Sequence, residues 1–423
     1  MKTQQHGINI IGYTESEFGL GEAVRLNCKA ARKKNIPLCL IDYDQIKRNP
    51  NYQYRFDYAV NLVQIALGDL ESFFANIDSN LFKNRYTILF LVWESEYIAP
   101  EIIPNLQLFN EIWTTSEYCK SIFKKVFTDP IIVVPHPIEM ELIANPTKNT
   151  TSLFNPNAFS FLFVFSYHSS IERKNPFFLI EAFKTAFGNN NQVELVIKTV
   201  GGHQYKKAKQ RLLKSTANAT NIKIIDQEMD KKSVNELIHA CDAYVSLHHS
   251  EGFGLTLAEA MFFGKPTIAT NYSGNTEFMT TQNSYLVDYE LGFIENPDHN
   301  FCANTLWANP ILEDAVAKLK AVYEKEEQRT DKATLASLQI KEQLSFESIG
   351  NIIFERISYL YTHFDKVVTK QSQYNYFLNQ LYCTKAENAK LKREIRRMKK
   401  NLIIRFIVYL KDTTRKVKSK IKS

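Results

Sequence analysis

Short apolar runs alternate with amphipathic stretches along the chain, and the alternation occurs twice. In the first half, residues 8–11, 36–41, 58–63, 86–93, 111–115 and 131–134 are too short for helices and rich in β-branched and aromatic residues, so they predict strands. The run 86–93 (YTILFLVW) is apolar without alternation, as in a strand buried on both faces of a parallel sheet. Helices are predicted over 22–31 and 116–127. A polar stretch, 145–157, rich in Asn, Thr and Ser, reads as a linker. The pattern then restarts, with strands over 160–165, 195–199, 222–225, 243–247, 267–270 and 285–287. Helices are predicted over 176–187, 232–240, 255–263, 314–325 and 346–363. Pro176 suits a first helical turn. Two successive sets of strands and helices imply two parallel-sheet α/β domains, and 423 residues are too many for one ordinary core.

The residues with most chemical content lie where the strand over 243–247 ends. His248, His249 and Ser250 lead into Glu251-Gly252-Phe253-Gly254, and Leu255 opens a helix that Gly264 stops. A strand, a glycine turn and a helix start leave backbone N–H groups free to meet an anion, and glycine lets a phosphate approach them. Glu251 and Glu259 flank this cradle with seven residues between them. Carboxylates there would repel the phosphate, so they are better suited to accept hydrogen bonds from neutral hydroxyls, which sugars supply. Adjacent strand residues point to opposite faces, so His248 and His249 are not a metal pair; His248 is expected to face the cleft and His249 to pack. A second strand–glycine–helix passage runs from Gly12 to Gly19-Leu20-Gly21. In the second half, Arg173 and Lys174 lie between a strand and a helix start, where cations would neutralise a departing diphosphate. Lys198 lies near the end of another strand.

The string from Glu251 through Glu259 to Gly264-Lys265-Pro266, followed by Gly274-Asn275-Thr276-Glu277, resembles the donor-site signature of glycosyltransferase family 4. The resemblance covers roughly residues 7–365. It implies that Glu251 lies against the transferred sugar and that Glu259 binds the nucleotide ribose. It implies that Gly19-Leu20-Gly21 faces the donor phosphates across the cleft, that the 252–255 turn, His248 and Lys198 line the donor site, and that transfer proceeds with retention at the anomeric carbon. Lys174 matches the family's lysine, but Ser169 occupies the usual arginine position, so that role is assigned to the neighbouring Arg173. Many members carry a histidine at an amino-domain strand end. Only His6 and His136 occur in this half; flanking prolines mark His136 as a structural turn residue, which leaves Trp93 and Glu94 as acceptor-side candidates. No cofactor or catalytic metal is implied.

Composition narrows the setting. With 44% hydrophobic and 23% charged residues the chain reads as a soluble globular protein. Six scattered cysteines, without a Cys-x-x-Cys pair, read as reduced core thiols. Neither a signal peptide nor a membrane span is recognised, so the expected location is cytoplasmic. The net charge of +7 is uneven: residues 385–423 hold 15 of the 52 Lys and Arg against three of the 45 acids, which leaves 37 bases against 42 acids elsewhere. Within this basic tail Leu402, Ile403, Phe406, Ile407 and Leu410 share one helical face. Three readings stay open: a helix lying on the anionic inner face of a membrane that carries the acceptor, a dimerising coiled coil with Asn388 in its seam, or a solvated extension. Few stacking aromatics argue against nucleic acid as its partner.

The expected fold class is therefore α/β: two Rossmann-like parallel-sheet domains facing a cleft (GT-B), plus a C-terminal basic helical tail. The expected divisions are 1–147 for the acceptor side, 155–345 for the nucleotide-sugar side, a closing helix at 346–368 and the tail at 371–423. The expected function is transfer of a sugar from a nucleotide-diphosphate sugar to a hydroxyl of a glycan or lipid-linked acceptor in cell-surface glycan or polysaccharide assembly. The alternative is a non-catalytic nucleotide-sugar or polyanion-binding protein of the same fold.

Overall fold

The computed structural model describes residues 6–16, 19–49, 51–141, 143, 147–295 and 305–364, with 384, 391–394 and 397. The tail expected at 371–423 therefore lies almost wholly outside the described residues. The first sheet contains β1 (Ile8–Gly12), β2 (Leu38–Asp42), β3 (Val60–Gln64), β4 (Tyr86–Leu91), β5 (Glu111–Thr114) and β6 (Ile131–Val133). The second contains β7 (Phe159–Ser166), β8 (Val193–Val200), β9 (Ile222–Asp226), β10 (Ala243–Ser246), β11 (Thr267–Thr270) and β12 (Tyr285–Val287). A small antiparallel pair, β13 (Tyr289–Phe293) and β14 (Leu306–Pro310), stands apart.

Each large sheet is parallel throughout. Their orders are β2-β1-β3-β4-β5-β6 and β12-β11-β10-β7-β8-β9. All six residues of β4 are buried, because helices cover both faces of a parallel sheet. Each order reverses direction once, beside β1 in the first sheet and beside β7 in the second. The carboxyl ends of strands at such a reversal are where open α/β sheets bind ligands.

The two halves share a core. One apolar cluster runs from Val24 and Ile88 on the first sheet through Phe253 and Phe278 to Ile353 and Ile357. Helix Phe346–Thr362, from the end of the second half, packs on helix Gly19–Lys33 of the first. Their approach is close enough that a Cβ on Gly350 would lie 2.6 Å from the carbonyl oxygen of Ala30. Arg356 on the same helix forks onto Glu111 of β5, with Nε–Oε1 and Nη2–Oε2 distances of 3.0 and 2.5 Å. Glu111, itself fully buried, also accepts from the Tyr86 hydroxyl and the Trp113 indole.

Some expectations are corrected. The stretch read as a linker holds a short helix, Lys148–Thr151, pinned where the Glu236 carboxylate accepts from Thr147 and Thr150. β2 starts two residues later than expected, after Pro37, which has no N–H to give a ladder. Helices Lys206–Ser215 and Glu326–Gln343 and the β13–β14 pair are additional elements.

Candidate functional site

β10 ends at Ser246, and the chain then crosses the top of the second sheet beside β7. Gly254, at φ +93°, makes the turn into helix Leu255–Phe262; this left-handed conformation favours glycine, and no side chain caps the helix. From the end of β7 a one-turn helix, Ile171–Lys174, brings two cations to the same place. Arg173 Nη1 lies 3.1 Å from Glu251 Oε2 and donates to the Ser250 carbonyl at 2.8 Å. Its Nη2 lies 3.5 Å from Glu94 Oε1, across the seam. The Lys174 ammonium pairs with Glu251 Oε1. Glu94, Arg173, Glu251 and Lys174 thus form one charged chain at the sheet reversal, with the Arg173 and Glu251 side chains under a tenth exposed.

Electrostatics follow from this packing. Burial alone would raise the Glu251 pKa, but the Lys174 and Arg173 cations override it and bring it down to about 2, so the carboxylate is charged at neutral pH. Burial pulls the Lys174 ammonium downward while Glu251 pulls it back up. The two cations, held between the Glu251 and Glu94 carboxylates, are charges of the kind that stabilise an anionic leaving group.

The glycine turn is docked on the first half. Gly252 O accepts from Thr115 Oγ1 and Ser116 Oγ, each at 2.9 Å, and from Cys119 Sγ at 3.3 Å. Ser250 Oγ donates to Glu94 O at 2.5 Å, and Glu277 Oε1 accepts from the Glu117 amide at 2.6 Å. Tyr272 reaches Glu96 at 3.2 Å and stands edge-on to Tyr118. Contacts across the seam between residues so far apart in the chain leave no local signal, and Ser250, Tyr118 and Tyr272 were not among the expected site residues.

The other expected residues are placed as follows. Gly19, Leu20 and Gly21 form the first turn of helix Gly19–Lys33, which starts three residues earlier than expected, after the carboxyl end of β1. A Cβ on Gly21 would lie 2.1 Å from Ser16 O, whereas one on Gly19 would meet open space. Glu259 lies one turn into helix Leu255–Phe262 and pairs with Lys231. Phe253, counted with the donor turn, sends its ring into the seam between His136 and Phe278. Leu255 packs partly buried against the shared core. Lys198 is spent on the sheet: its buried ammonium donates to the carbonyls of Thr199 and Gln227 at 2.9 and 2.6 Å, and burial lowers its pKa to about 8. Trp93 donates its indole N–H to Tyr97 O. Both histidines are packed. His248 is fully buried beside Ser246, Tyr272 O and Asn275, while the partly exposed His249 stacks on Trp307 of β14 at 4.0 Å. The β13–β14 pair supplies His249 with its packing partner.

Two surface grooves lie elsewhere. One of about 430 Å³ includes Asp242, Pro266 and Arg329, and one of about 610 Å³ includes Asp57, Asn80 and Arg85. Both border the amino ends of strands, opposite the reversal points, so charge and topology rather than volume locate the site. Among the described residues no group of three His, Cys, Asp or Glu is arranged to hold a metal ion. Nor is any described helix long and apolar enough to cross a membrane.

Comparison with known proteins bears on this geometry. Residues 154–290 match the family model Glycosyl transferases group 1. The chain has the GT-B fold. It superposes on sucrose-phosphate synthase from Thermosynechococcus elongatus with a TM-score of 0.63 and 11% identity, covering 84% of this chain and 99% of that one. For HepE of Anabaena in complex with UDP and glucose the TM-score is 0.58 and the identity 13%, over 84% and 100%. A TarM variant from S. aureus, in a complex that includes UDP, gives 0.51 and 16%, over 71% of this chain and 55% of that one. At these identities the likeness is one of fold. No curated protein matches the chain significantly by sequence. The group 1 match contains β7, Arg173, Lys174, Glu251 and Glu259, and the first sheet lies outside it.

Proposed function

We propose that the chain is a retaining, family 4-like glycosyltransferase that moves a sugar from a nucleoside-diphosphate donor to an acceptor hydroxyl. The observation that carries the reading is the buried Glu94–Arg173–Glu251–Lys174 chain at the reversal point of the second sheet, inside the segment that matches group 1 glycosyl transferases. In this reading Arg173, Lys174 and the uncapped amides of helix Leu255–Phe262 receive the diphosphate. The bond between the anomeric carbon and the diphosphate oxygen breaks with its electron pair going to the diphosphate. The acceptor oxygen bonds to that carbon, and its proton passes to the departing phosphate oxygen. Glu251 holds both cations and accepts from a sugar hydroxyl, Glu259 accepts from the ribose, and Glu94 lies on the acceptor side. Gly19–Gly21 would close the cleft from the first sheet.

UDP is the nucleotide to test first, because the HepE and TarM complexes contain it. A panel of UDP-, GDP- and ADP-sugars, screened by thermal stabilisation and by nucleotide release, tests the reading. One donor class should both stabilise the chain and be turned over; no response to any of them would sink it. A glycan or lipid-linked acceptor, and docking or pairing through residues 385–423, belong to the same proposal. Sedimentation with anionic vesicles, comparing the full chain with one ending at Tyr382, tests the membrane part. Equal partitioning would remove it.

A further inference from the structure

Glu259 carries a feature that the charged chain around Glu251 does not explain. Its side chain is 4% exposed, and its two oxygens are treated differently. Oε1 is met by the ammonium of Lys231, the first residue of helix Lys231–Ala240. Oε2 is buried and has no hydrogen-bond partner among the described residues. A buried acceptor left bare is costly, and native structures seldom keep one without a use. A carboxylate accepts and does not donate, so the group that would satisfy Oε2 is a donor such as a hydroxyl.

Lys231 is placed to control that oxygen. Its helix is anchored by Asp230, whose side chain accepts from the Ser233 amide, so the lysine leaves a fixed point beside helix Leu255–Phe262. The terminal torsion of a glutamate is broad and roughly two-fold. An ammonium held on Oε1 removes that freedom and leaves Oε2 as the oxygen on offer. It also offsets a negative charge that would otherwise oppose a diphosphate bound nearby. The Lys231 side chain is 40% exposed, so nothing in its burial requires this pairing. Resting on the reading of Glu259 as the ribose ligand, we propose that Lys231 is a positioning residue: it orients the Glu259 carboxylate toward the vicinal diol of the donor's ribose and so sets the preference for ribo- over 2′-deoxynucleotides.

Calorimetric titration of the full chain with UDP, GDP and ADP, each beside its 2′-deoxy counterpart, tests this without an acceptor. The wild type should prefer the ribo form of the nucleotide it binds. Lys231→Met should lower that preference about tenfold, the worth of one charge-assisted hydrogen bond, by weakening the ribo form more than the deoxy form. Lys231→Arg should restore most of it. Equal weakening of both forms would show that the lysine only offsets diphosphate charge, and unchanged or tighter binding would show that it orients nothing; either overturns the proposal. Glu259→Leu, which removes both acceptor oxygens, separates this from the underlying reading. If that variant keeps the full ribo preference, Glu259 is not the ribose ligand. If it loses the preference while Lys231→Met does not, only the role of Lys231 falls.

Discussion

His136 offers a test of how the two halves are held together. It is 2% exposed, stacked on Phe90 of β4 at 5.6 Å and edge-on to Phe253 of the glycine turn at 5.3 Å, and its Nδ1 has no partner among the described residues. Burial lowers its pKa from 6.5 to about 3, so it is neutral when folded and free to take a proton when unfolded. Between those values the unfolded state binds more protons, and stability rises with pH. The penalty is absent above pH 6.5 and grows as pH falls toward 3. At about pH 5 it amounts to about 2 kcal/mol, from roughly 1.4 kcal/mol per pH unit. His136→Phe keeps a ring between Phe90 and Phe253 and removes the titration. Urea unfolding of wild type and variant at neutral pH and at about pH 5 should show the variant losing about 2 kcal/mol less on acidification. His248 and His249 are also shifted downward and contribute to both profiles, so the difference isolates His136. Parallel profiles would refute the argument, because the seam would then accommodate the charged ring.

Other consequences are equally open to measurement. Arg356→Ala strands the buried Glu111 charge and should cost about 3–5 kcal/mol in urea unfolding, whereas a negligible loss would mean that the fork does not hold the closing helix. Gly252→Ala places a methyl 2.2 Å from Val92 Cγ1 and should cost about 1–3 kcal/mol and slow turnover; unchanged stability and rate would show that the seam gives easily. Arg173→Ala and Lys174→Ala should each lower kcat on the order of 10²-fold in nucleotide-release assays, and a silent variant would remove that cation from the diphosphate site.

The strands were legible because a parallel sheet buries both faces, so each appears as a short continuous apolar run, as in β4 and β10. Helix Glu326–Gln343 was not, because it buries only Ala333, Ala336 and Ile340 along 18 residues. The β13–β14 pair leaves Leu291 and Phe293 52% and 65% exposed, with Gly292 between them, which dilutes the strand pattern. At the site, the glycine turn and its two glutamates stood out because backbone conformation and chemistry are encoded within a dozen residues. Lys231 and Tyr118 did not, since their roles exist only after distant segments meet. The stacking partner of His249 was hidden for a related reason: Trp307 lies on a strand that local patterning did not predict.

The central claim, that the charged chain at the second sheet's reversal point supports glycosyl transfer, is tested most directly by nucleotide release from the donor that the panel selects, comparing wild type with Glu251→Gln. Because Glu251 holds Arg173 and Lys174 and lies where the sugar is expected, the variant should release nucleotide slower by a factor on the order of 10² while still binding the donor. Equal rates for the two proteins, or release by neither, would contradict the account.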